Sequence, residues 1–87
     1  MNSRLRRVLA SLFKTPTQPG IQVSDVLSLL IALGATVTQG KGSRIRVRIG
    51  MRKLTLHRPH PAKECTRGQV ESVRAFLEEI DVTPETV

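Results

Sequence analysis

His57 and His60, the chain's two imidazoles, stand at the end of a strongly cationic segment: Gly40 to Pro61 carries seven Lys or Arg side chains and no carboxylate. Within it Arg44, Arg46 and Arg48 alternate with Ile45, Val47 and Ile49. A period of two puts successive side chains on opposite faces of a strand, so the arginines share one face and the aliphatics the other. One face can pack on a core while its opposite presents cations to solvent. An imidazole set among those cations points to a phosphate-rich polyanion as ligand, and to chemistry on it.

The rest of the chain must hold that face in place. At 87 residues it fits one small domain. Cys65 is the only cysteine, which excludes an internal disulfide framework and fits a reducing compartment. The net charge of +7 is unevenly spread. Residues 61–87 hold six of the seven acids, Glu64, Glu71, Glu78, Glu79, Asp81 and Glu85, and the middle of the chain is basic. Such polarity favours nucleic acid over a membrane as partner. The N-terminal arginines precede no continuous apolar stretch of the kind a secretory signal needs, although the amphipathic, acid-poor start shares traits with an organellar presequence. The run Val26–Leu33 is too short to span a bilayer. The expected address is the cytoplasm, without a membrane partner.

Leu5, Val8, Leu9, Leu12 and Phe13 follow helical spacing over residues 3–14, with Ser3 as N-cap and Pro16 as stop. Residues 15–20 form a polar Pro/Gly connector. A second, mostly apolar helix is expected over Asp25–Leu33, capped by Ser24, ended by Gly34 and covered on more than one side. Three strands follow at Ala35–Gln39, Arg44–Ile49 and Arg52–His57, the last two joined by a Gly50-Met51 type II′ turn. A two-residue loop sets the register: Arg44 faces His57, Arg46 faces Thr55, and Arg48 faces Lys53. Thr66 and Gln69 match a capping box opening a helix whose Val70, Val73, Phe76, Leu77 and Ile80 form one stripe. Glu71, Arg74 and Glu78 occupy its outer side, and Thr83-Pro84 ends the element. Residues 83–87 are a tail.

Helix, three-stranded meander, helix is the order of the double-stranded-RNA-binding type of α+β fold, here with an extra N-terminal helix. The run Ser24-Asp25-Val26 into a leucine-rich helix, then Gly34-Ala35, Lys41-Gly42-Ser43, Pro59-His60-Pro61 and a basic-capped helix from Lys63 to Leu77, resembles the HicA toxins of bacterial toxin–antitoxin systems. The likeness spans residues 21–82, and the N-terminal Met1-Asn2-Ser3-Arg4 with its short helix is similar to one branch of the family. The resemblance implies a metal-independent endoribonuclease (an mRNA interferase) that needs no cofactor. It also implies a HicB-like antitoxin covering the active face. His60, in the Pro-His-Pro tripeptide, is thereby placed near the site. The family motif is usually Gly-Ser-His, with its histidine catalytic; the matching tripeptide here is Gly42-Ser43-Arg44.

An arginine stays protonated at neutral pH and cannot serve as an ordinary general base, so that role does not transfer to position 44. The register supplies a substitute. Directly opposed residues have Cβ atoms about 4.5–5.5 Å apart, so His57 reaches the space a histidine at 44 would occupy. An unperturbed imidazole titrates near pH ~6.5, and neighbouring arginines favour the neutral form that can take a proton. His57 is then the base that deprotonates a ribose 2′-hydroxyl, with Arg44 stabilising the phosphorane and His60 close by. Lys41, Ser43, Arg46, Arg48, Lys53, Arg58, Lys63 and Arg67 are the RNA-binding set.

Each feature has a plainer interpretation. His57 can be a surface histidine that only binds phosphate, and His60 a loop-shaping residue between prolines. His57, His60 and Cys65 match no zinc spacing and lack a fourth ligand, so no metal is expected. With Tyr and Trp absent, stacking on bases is disfavoured. Two other functions fit the same residues: a catalytically inactive RNA- or DNA-binding module, and a protein-interaction domain that docks an acidic partner.

Overall fold

The computed structural model describes residues 1–58 and 63–87. The elements run α1 (Ser3–Leu12), α2 (Val23–Ala32), β1 (Thr36–Gln39), β2 (Arg44–Ile49), β3 (Arg52–His57) and α3 (Arg67–Glu79). The strands form one antiparallel sheet in the order β1-β2-β3. This is the expected α+β arrangement, α-β-β-β-α with a helix added in front.

Alternation builds the sheet. Ile45, Val47 and Leu56 are buried while Arg44, Arg46, Arg48, Thr55 and His57 are exposed. The β2–β3 register is the one the two-residue loop requires, Arg44 opposite His57, Arg46 opposite Thr55 and Arg48 opposite Lys53. Gly50 takes the positive φ of 57° and Met51 does not, the combination a type II′ turn needs.

All the helices pack behind the sheet's apolar face. α3 lies on β3 and α2 meets β1, while α1 rests on both α2 and α3. Their inward residues, including Leu9, Leu12, Val26, Leu29, Leu30, Val73 and Leu77, join the strand aliphatics in one cluster. No polar or charged side chain is buried among the described residues. α2 is less enclosed than its composition suggests, since Ile31 is 57 % exposed.

The helix starts differ from local expectation. Asn2, not Ser3, caps α1, its side-chain oxygen accepting from Leu5 N–H at 2.8 Å. α1 stops at Leu12, with Phe13 as its C-cap. α2 begins at Val23, ahead of Ser24, and its N-cap Gln22 makes no side-chain capping bond. A long-range contact replaces the cap: Val23 N–H donates to the Lys63 carbonyl at 3.0 Å, and Cys65 N–H donates to the Ile21 carbonyl at 2.7 Å. Residues 63–65 thus lie as a short bridge along residues 21–23.

The ends of α2 and α3 use the same device. Gly34 (φ 98°) follows α2, with Gly34 N–H on Ile31 and Ala35 N–H on Leu30. Asp81 (φ 59°) follows α3, with Asp81 N–H on Glu78 and Val82 N–H on Leu77. Both are Schellman closures, and the second ends α3 before Thr83-Pro84 is reached. Among the described residues no helix is long and apolar enough to cross a membrane.

Candidate nucleic-acid interface

The exposed face of the sheet is a grid set by pairing. Thr36, Arg48 and Lys53 lie side by side across the three strands, and Thr38, Arg46 and Thr55 form the next row. Arg44 and His57 make a third row, where β1 has already given way to Gly40. The first two rows line an open depression of about 410 Å³. Thr36 and Thr38 belong to this surface although their residue types gave no warning; the signal was the Thr-Val-Thr alternation, with Val37 turned to the core.

Gly40 adjoins Arg44. Its N–H donates to the Arg44 carbonyl at 2.8 Å, and a Cβ at this position would lie 3.1 Å from the Arg44 Cβ. A side chain there would press on Arg44, so the glycine keeps its flank clear. At the hairpin end, Arg48 Nε donates to the Gly50 carbonyl at 3.2 Å.

The electrostatics of the face are one-sided. The ion pairs among the described residues join Arg4 to Asp25, Arg52 to Glu79 and Arg67 to Glu71. None involves Arg44, Arg46, Arg48 or Lys53, and no sheet residue is acidic. Arg48 and Lys53 stand directly opposed, an arrangement of like charges that an anion between them would relieve.

Of the other predicted site residues, Ser43 accepts a backbone hydrogen bond from Arg58 N–H at 3.0 Å, and Lys41 sits in the β1–β2 turn. Those three flank the Arg44–His57 row. Lys63 is exposed, and its carbonyl holds the start of α2. Arg67 lies elsewhere, at the first position of α3, lining a cleft with residues 17–20, Glu64 and Cys65. It pairs with Glu71 at 3.8 Å and does not join the sheet face. His60 lies outside the described residues.

Arg74 departs from the solvated role its helix position suggests. It is half-buried, its Nε donating to the Leu12 carbonyl at 2.7 Å and its Nη2 to the Lys14 carbonyl and Thr17 Oγ1, each at 3.3 Å. Those acceptors close the C-terminal end of α1. Burial pushes the Cys65 thiol above its ordinary value. Among the described residues, no group of three or more His, Cys, Asp or Glu side chains converges as a metal site.

What the face can do follows from these parts. Rows of fixed cations interleaved with hydroxyls suit a chain of phosphates, and one imidazole beside an arginine suits proton transfer at such a phosphate. Comparison with known proteins bears on this reading. The family described as the HicA toxin of bacterial toxin–antitoxin matches residues 23–82, from the first residue of α2 to the residue that completes the closure of α3. No curated protein and no solved structure matches the chain. With more than half of its length matched, the chain belongs to the HicA toxin family. Membership fits it to a toxin–antitoxin system acting on mRNA, with an antitoxin as partner.

Proposed function

Proceeding from that membership, we propose that the chain is a metal-independent endoribonuclease that cleaves RNA at the Arg44–His57 row. The observation that carries the reading is the pairing of Arg44 with His57 on an exposed face free of carboxylates. Neutral His57 accepts the proton of a ribose 2′-hydroxyl, and the freed oxygen attacks the adjoining phosphorus. The O2′–P bond forms and the P–O5′ bond breaks. The departing 5′-oxygen takes a proton from imidazolium or water. Arg44 holds the charge that accumulates on the non-bridging oxygens. Gly40 keeps Arg44 unobstructed, and Arg46, Arg48 and Lys53 hold the rest of the strand, with Lys41, Ser43 and Arg58 at the turn. DNA lacks the attacking hydroxyl and is spared.

The same charge makes the face the docking surface for a HicB-like antitoxin, whose carboxylates would take the place of phosphates. Action on mRNA sets the work in the cytoplasm.

The test is incubation of the purified chain with a structured RNA and the matching DNA, in EDTA, across pH ~5–8. Cleavage should persist in chelator, spare DNA and follow an imidazole titration. His57→Ala should reduce it by about 10²–10⁴-fold, the usual contribution of a positioned base. Full activity in that variant removes His57 from the mechanism. Salt-sensitive binding without any cleavage favours the second reading, a nucleic-acid-binding module in which Arg44 marks a lost catalytic position.

A further inference from the structure

We infer that the sheet face holds three consecutive phosphates of a single RNA strand running parallel to β2, with the cleaved phosphate at one end of the track. This rests on the reading that RNA occupies the Arg44–His57 row. Residues two apart on an antiparallel strand are separated by about 6.8 Å, comparable with the step between phosphates along an extended single strand. Arg44, Arg46 and Arg48 follow one another at that interval on the exposed face of β2.

Each row offers a different cradle. At the first, Arg44 faces His57, the reacting pair. At the second, Arg46 lies between the hydroxyls of Thr38 and Thr55, so one cation and two neutral donors meet the phosphate. At the third, Arg48 lies between Lys53 and Thr36, and the opposed cations make this the row most in need of an anion. The depression of about 410 Å³ coincides with the second and third rows.

The occupant is a strand's backbone, not its bases. The chain's only Phe, Tyr or Trp side chains are Phe13 and Phe76, at the end of α1 and in the core, so the second and third rows carry no aromatic ring on which a base can stack, and the His57 imidazole is committed to the reacting row. The second and third rows both lie on the hairpin side of the Arg44–His57 row, so the two added phosphates of the track lie on one side of the scissile bond. The enzyme therefore requires length on one flank and tolerates any base sequence along it.

The experiment uses the full chain and 2′-O-methyl oligonucleotides, which carry no attacking hydroxyl, with one to six phosphates. Affinity should rise about tenfold with each phosphate up to three, the scale of one hydrogen bond to a charged group, and then level off. The double variant R48Q/K53Q should level off at two. Thr38→Val with Thr55→Val should weaken the second increment alone. All these positions are exposed strand sites, and a thermal melt of each variant verifies its fold. A steady rise through six phosphates overturns the track, as does equal weakening of every length by R48Q/K53Q. Since the ligands cannot be cleaved, a track without nuclease activity would sink the catalytic reading alone, and length-independent cleavage would sink the track alone.

Discussion

Raising salt should loosen RNA from this protein by an amount that the sheet geometry sets. Arg44, Arg46, Arg48 and Lys53 take part in none of the ion pairs among the described residues, so their counterions in the free protein are solvent ions. On the proposed track three rows neutralise three phosphates, and each phosphate neutralised on a single strand contributes about −0.7 to the slope of log affinity against log salt. The expected slope is about −2.1, which is a loss of about 20-fold between about 50 and 200 mM salt. R48Q/K53Q empties one row and should bring the slope to about −1.4, a loss of about 7-fold over the same range. Fluorescence anisotropy of a labelled 2′-O-methyl hexamer, titrated at four salt concentrations, measures both numbers. A slope near zero would refute phosphate contact altogether. An unchanged slope in R48Q/K53Q would move the contacts off the sheet, to another basic surface such as exposed Arg6 and Arg7 on α1.

Three more outcomes are expected. Arg74→Met keeps the aliphatic stem but removes the donors to Leu12, Lys14 and Thr17; it should cost about 2 kcal/mol, or about 8–16 °C in Tm, and an unchanged melt would deny the staple. Gly40→Ala forces Arg44 aside and should lower cleavage by up to about 10²-fold while leaving the fold intact, with wild-type rates showing that Arg44 has room to yield. Cys65 is buried and its thiol is raised by desolvation, so it should resist a thiol reagent until the protein unfolds. Because the folded value lies above the unfolded one, its contribution is intact below the unfolded value and is lost as pH rises through the folded value. Urea midpoints should therefore fall at alkaline pH less steeply in Cys65→Ala.

The elements that could be read in advance are those whose signals are local. Alternation over Arg44–Ile49 and Arg52–His57, joined by a loop only two residues long, leaves a single register that buries the aliphatics, and that register is observed. The stripe from Val70 to Leu77 likewise defines the inner side of α3. What escaped depends on contacts across the chain. Ser24 looked like a cap because nothing near it reveals that the Lys63 carbonyl will satisfy Val23 N–H. Arg74 looked solvated because its acceptors lie about sixty residues away. Asp81 in a left-handed conformation is uncommon for a non-glycine residue, so local sequence points to Thr83-Pro84 as the end of α3. Charge alone groups Arg67 with the interface, yet the helix it opens begins away from the sheet face.

The family match begins at Val23, and α1 lies wholly in front of it. In most modular proteins such an addition could be cut away. Here Leu5, Leu9 and Leu12 are buried in the same cluster as the strands. Burying a leucine is worth about 1.5–3 kcal/mol, so the three together approach the whole net stability of a typical small domain. Arg74, on α3, would lose its acceptors at the same stroke. The stretch the family model spans and the unit that folds are therefore different lengths of chain: the match starts at α2, but cooperativity starts at α1.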